Sequence, residues 1–140
     1  MTYDKLYEML INDHNEVKGL FEETMQNKDT SKFPKIKKEL EVHMKGEEKF
    51  FYPKAKKADE KLIEHGIEEH QEAKQLLSEL EKIKTDDTKW MSKFEELKKS
   101  VEHHVQEEET KVFPKTKQAL SDKEEQEAAQ NIENEKSKTM

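Results

Sequence analysis

The chain contains no cysteine and no arginine. Without cysteine there can be no disulfide, no thiolate metal ligand and no thiol nucleophile, and cysteine usage carries no information about compartment. Without arginine the chain lacks the planar fork that makes most bidentate contacts to phosphate and guanine. All 26 basic residues are lysines, against 33 acidic ones, for a net charge of −7. Nucleic acid is therefore not expected as a partner. Glycine and proline number three each, too little punctuation for a β-rich fold. No apolar run reaches the length of a signal-peptide core or a membrane span, so no membrane association is expected. The plain expectation is a soluble cytoplasmic protein.

What the chain has instead is charge and helix formers. Charged residues make up 42% and hydrophobic ones 31%, so the core of this 140-residue chain must be lean. Abundant Lys, Glu, Leu and Ala favour long helices. Four amphipathic segments are visible, each with apolar residues at steps of three and four. The first covers about residues 3–27, with Leu6, Leu10, His14, Val17 and Phe21 in line. The second, about 32–52, follows "DTS", tolerates Pro34 in its first turn, and aligns Ile36, Leu40, His43, Glu47 and Phe50. The third, about 59–84, aligns Ile63, Ile67, His70, Ala73, Leu77 and Leu80. The fourth starts after "TDDT" and aligns Phe94, Leu97, Val101, His104, Glu108 and Val112.

Short connections make neighbouring helices antiparallel. The expected fold is all-α, an up-and-down four-helix bundle over residues 1–120, with a short fifth helix. Pro53 and Pro114 are expected to end or kink their helices. "SDKE" at 121–124 is a capping-box signature, opening a weak helix over about 122–134 whose apolar face is Ala128, Ala129 and Ile132. The last residues of the 121–140 segment are expected to fray.

The sequence also repeats itself. "HMKGEEKFFYP" (43–53) returns as "HVQEEETKVFP" (104–114), and "DHNEVKGLF" (13–21) resembles "EHQEAKQLL" (69–77). The chain reads as two helical hairpins packed about a pseudo-twofold axis. Because residues four apart share a helix face, His43 projects with Glu47 and His104 with Glu108, joined by His14 and His70. Four imidazoles and two carboxylates thus point into one interior. Burying unpaired carboxylates is costly, and no seam lysine is placed to neutralise them. A metal pair would. Imidazole with carboxylate and no thiolate suits iron, manganese or zinc, and each carboxylate can bridge two ions. A bridging oxide or hydroxide then leaves about one open position per octahedral ion, where a small diatomic or peroxide ligand binds.

Glu48, Glu109, Glu69 and His103 neighbour these residues but point about 100° away on an ideal helix, and are read mainly as solvated or supporting groups. His65 reads as a surface histidine. Phe21, Phe50, Phe51 and Phe113 read as core, while no spacing demands that Tyr7 or Tyr52 enter the site. There is no H-E-x-x-H, no phosphate-binding glycine loop and no convincing triad nucleophile. No histidine follows a glutamate by three residues, which argues against ferritin-like di-iron sites.

The pattern H…H-x-x-x-E…H…H-x-x-x-E, with "DH-x-x-V-x-x-LF", "EE-x-x-FYP" and "EE-x-x-VFP", resembles the hemerythrin-like, HHE cation-binding family over residues 3–135. The resemblance implies a four-helix bundle with a non-haem di-iron centre carrying a bridging oxo or hydroxo group, zinc or manganese being possible substitutes. It implies His14, His43, Glu47, His70, His104 and Glu108 as ligands. The oxygen carriers of the family add a fifth histidine one turn before the third-helix ligand, where this chain has Gly66. They also use an aspartate at spacing five where this chain has a glutamate at spacing four. The resemblance thus implies sensing or binding of oxygen, nitric oxide or iron rather than oxygen carriage. Its alternative is an enzyme with peroxidase- or catalase-like activity on hydrogen peroxide, or nitrosative-stress repair. No protein partner is implied.

Overall fold

The structure, a computed structural model, describes residues 4–139. The expected helix start at residue 3 and the final residue of the tail lie outside the described residues. The fold is all-α, and among the described residues there is no strand. Helix α1 (Asp4–Asn27) ends at Lys28, which adopts φ 52°. A short 3-10 turn, Thr30–Lys32, is capped by the Asp29 side chain and leads into α2 (Phe33–Gly46). Helix α4 (Glu60–Lys82) is capped by Asp59, which accepts from the Leu62 amide, and α5 (Thr88–Glu107) by Asp87. These caps satisfy amides that a helix start leaves unpaired.

Of the two expected effects of the prolines, an end or a kink, the first does not occur. Neither ends its helix. Residues Glu47–Phe51 and Glu108–Val112 instead form π-helical turns, in which Tyr52 N–H donates to Glu47 O and Phe113 N–H to Glu108 O, five residues back. Helix then continues as α3 (Tyr52–Ala55) and α6 (Phe113–Ala119), with Pro53 and Pro114 in their first turns. A proline offers no amide and crowds the carbonyl four residues before it, so a widened turn just ahead of it removes the clash. The widening also changes the register: Phe51 is fully buried, whereas Phe50 is only half-buried.

Two apolar clusters fill the bundle. One gathers Val17, Phe21, Ile36, Leu40, Ala73, Leu77, Phe94 and Leu97, among others. The other gathers Leu6, Leu10, Phe51, Tyr52, Ile63, Val112, Phe113 and, from the last helix, Ala128, Ala129 and Ile132. Chain direction alternates between them: α1 and α4 run from the second cluster to the first, α2 and α5 the reverse. That is up-down-up-down. Each of the four seam histidines falls where its helix passes from one cluster to the other, so a polar layer is sandwiched between two apolar ones.

Helix α7 (Asp122–Thr139) runs past the expected end near 134. Its capping box forms as the sequence suggests, with Glu124 N–H donating to Ser121 Oγ and Ser121 N–H to Glu124 Oε1, both at 3.1 Å. It packs on α1, α2 and the first π turn, close enough that a Cβ on Gly46 would touch Ile132 at 3.4 Å.

Candidate metal centre

All six seam residues meet. His14 Nε2 lies 3.1 Å from His43 Nε2 and 3.1 Å from Glu108 Oε1. His70 Nε2 lies 3.1 Å from His104 Nε2 and 3.2 Å from Glu47 Oε1. Glu47 Oε1 also stands 3.3 Å from His43 Nε2, and Glu108 Oε2 stands 3.4 Å from His104 Nε2. Each carboxylate therefore touches one imidazole from each hairpin. Glu47 and Glu108 are sealed from solvent, at 0% and 1% exposure. Each begins one of the π turns, a distortion that recurs at functional sites.

The outer edge of the layer fixes its chemistry. His14 Nδ1 pairs with Glu109 at 2.7 Å, His43 Nδ1 with Asp13 at 3.0 Å, His70 Nδ1 with Glu48 at 2.8 Å and His104 Nδ1 with Glu69 at 2.8 Å. An ionised carboxylate only accepts, so each Nδ1 carries a proton and donates it. A neutral imidazole then presents a bare lone pair at Nε2. Four such lone pairs converge on two carboxylates, acceptor against acceptor. Glu47 Oε2 and Glu108 Oε1 have no hydrogen-bond donor although both are buried. Bound metal ions or added protons resolve such an arrangement. Ions of zinc's size bond nitrogen and oxygen at about 2.0–2.2 Å, so neighbouring ligands on a six-coordinate ion stand about 3 Å apart. The observed 3.1–3.4 Å separations fit.

The Hemerythrin HHE cation binding domain family matches residues 5–116. The chain belongs to that family. A DNA nickase from Nostoc sp. (strain PCC 7120 / SAG 25.82 / UTEX 2576) is 30% identical over 131 residues, covering 90% of this chain and 37% of the nickase. The chain thus spans little more than a third of that relative's length. No solved structure matches it. No helix among the described residues is long and apolar enough to cross a membrane.

Within this HHE domain Glu48, Glu69 and Glu109, read from the sequence as solvated or supporting groups, take the supporting role, and so does Asp13, which was not singled out. The signal was present: an acid precedes His14 and His70, and a second glutamate follows Glu47 and Glu108, at matching offsets in both halves. Each acid serves a histidine on a different helix, which is why a reading confined to one helix face did not find the pairing. Such partners hold a ligating ring in its tautomer and orientation.

Tyr52, which no spacing demanded, also enters the site. Its hydroxyl donates to Glu108 Oε2 at 2.5 Å and lies 3.2–3.3 Å from His104 Nε2, His70 Nε2 and Glu47 Oε1. Gly66 lies beside it, where a Cβ would stand in ordinary contact with the hydroxyl at 3.4 Å and with His104 Cε1 at 3.5 Å.

Without a metal, protons relieve the clash of acceptors. Burial opposes charge on His43, yet Glu47 and Asp13 outweigh it and raise its pKa well above the ordinary value. At His104 burial is likewise outweighed, by Glu108 and Glu69, and the pKa is raised to about 10. Burial would raise the Glu108 carboxyl, but hydrogen bonding with Glu47, His104 and His14 holds it well below the usual range.

Proposed function

We propose that the domain holds two iron ions between His14, His43, Glu47, His70, His104 and Glu108, and uses them to bind or sense a small ligand such as oxygen, nitric oxide or hydrogen peroxide. The observation that carries this reading is the convergence of four Nε2 atoms on two shared, buried carboxylates. The bound pair would supply electron exchange and open coordination positions. The chain's own residues do the rest. Asp13, Glu48, Glu69 and Glu109 hold the rings in place, and Glu47 and Glu108 link the two hairpins.

A cavity of about 30 Å³ adjoins the four histidines, walled on its other side by Val17, Leu40, Met44, Ala73 and Val101. It has room for a molecule of two or three atoms, and its apolar wall excludes larger polar ligands. Metal analysis of protein purified without added metal tests the reading, with about two irons per chain and near-ultraviolet absorption expected. One zinc per chain with no iron uptake would overturn it. Turnover of hydrogen peroxide by the iron-loaded protein would favour the enzymatic alternative over sensing.

The nickase relative favours a second reading, metal-dependent cutting of DNA. Against it, the histidine layer is ringed by Asp13, Glu48, Glu69 and Glu109, which repel phosphate. Nicking of supercoiled plasmid by the metal-loaded chain, lost in Glu47→Ala, would establish it.

A further inference from the structure

The chain has six histidines, and two of them, His65 and His103, take no part in the inner layer. They are not scattered. His65 and Glu69 stand one turn apart on α4, and His103 and Glu107 one turn apart on the adjacent α5. We propose that His65, Glu69, His103 and Glu107 form a second, mononuclear site for a divalent transition metal of the zinc class.

Histidine and glutamate donors alternate around the site, with Glu107 offering a different oxygen to each histidine. His65 Nε2 lies 3.3 Å from Glu69 Oε2 and 3.2 Å from Glu107 Oε2. His103 Nε2 lies 3.5 Å from Glu69 Oε2 and 3.4 Å from Glu107 Oε1. Tetrahedral zinc bonds these ligands at about 2.0–2.2 Å, which places neighbouring donors about 3.3–3.5 Å apart. The four separations, 3.2–3.5 Å, lie near that edge length. All four donor residues bring an atom within 4.8 Å of one another.

Charge and access agree. Among the described residues no lysine pairs with Glu69 or Glu107, whose recorded ion-pair partners are all histidines. Two neutral imidazoles and two carboxylates, one of them shared with His104 of the inner layer, offer nitrogen and oxygen without thiolate, a set suited to a borderline divalent ion rather than to calcium or magnesium. The two glutamates are largely covered while His65 and His103 are 49% and 62% exposed, so an ion can arrive from solvent. The site is also joined to the inner one. Glu69 uses Oε2 here and Oε1 to hold His104 Nδ1 at 2.8 Å, so one carboxylate stands between the two.

The full chain is loaded with iron, freed of excess, and titrated with Co²⁺, whose tetrahedral complexes absorb strongly in the visible. One further ion per chain after gel filtration is expected, with that absorption. Both should be lost in the His65→Ala/His103→Ala double variant, which keeps its helical circular dichroism and iron content. Should the chain take up no iron, the same titration of the metal-free chain still isolates this site as a one-ion difference between parent and double variant. No such difference, or an ion held equally by both, would show only surface ion pairs and adventitious binding, and would overturn the proposal.

Discussion

Tyr52 and Phe113 occupy equivalent places, nine residues after His43 and His104, and differ by one oxygen atom. Phe113 stacks on His14 with ring centroids 6.2 Å apart, and Tyr52 stacks on His70 at 5.2 Å. The pseudo-twofold layer is therefore symmetric in its imidazoles and carboxylates and asymmetric in this hydroxyl.

That asymmetry predicts two unlike ions. The iron-loaded protein should show phenolate-to-iron absorption in the visible. Tyr52→Phe should abolish it while iron content stays near two per chain. An unchanged spectrum would reduce Tyr52 to a hydrogen-bond donor for Glu108.

The carboxylates behind the rings should matter almost as much as the ligands. Glu48→Gln or Glu109→Gln should weaken metal retention by about 10–100-fold, measured by competition with a chelator, with little change in helicity. Unaltered retention in both variants would mean that packing alone orients His70 and His14.

Metal loading should release protons. With His43 raised and His104 at about 10, both imidazoles are charged in the metal-free protein at pH 7, whereas a ligating histidine is neutral. Calorimetric titration in buffers of different ionisation enthalpy should report net proton release. The same shifts fix the stability of the metal-free form. A folded pKa above the unfolded value of about 6.5 adds stability that is complete below that pH and lost as pH rises through about 10. The metal-free melting temperature should therefore fall between pH 7 and pH 10, with the loaded protein less affected.

Removing α7 by truncation after Leu120 should leave a folded bundle that still binds two irons. The cost should be about 4 kcal/mol, from the burial of Ala128, Ala129 and Ile132, read as a lowered melting temperature. The hydrogen bond from Tyr7 to Glu125, 2.5 Å, and that from Lys136 to Asp13, 2.6 Å, are lost with it. Since Asp13 holds His43, metal retention should weaken as well. Complete loss of metal would show that α7 shapes the centre itself.

The helices and the six convergent residues were legible because both rest on one periodicity. Residues four apart share a face, and buried faces meet. What was not legible depends on distances between helices. Asp13 reaches His43 and Glu69 reaches His104 across the gap within a hairpin, while Glu48 reaches His70 and Glu109 reaches His14 between hairpins. The π turns were hidden for another reason. A proline announces that the regular ladder must change, but not whether the chain stops, bends or widens. His65 and His103, unremarkable singly, become a pair only once α4 lies against α5.

The inner layer also has a charge balance. Asp13, Glu47, Glu48, Glu69, Glu108 and Glu109 contribute six negative charges, and Lys136 on Asp13 and Lys74 on Glu48 return two. The remainder equals the charge of two divalent ions. Were two such ions each to lose one electron, the layer would carry two positive charges in excess, which loss of protons would offset, so the reduction potential of a loaded centre is expected to drop as pH rises.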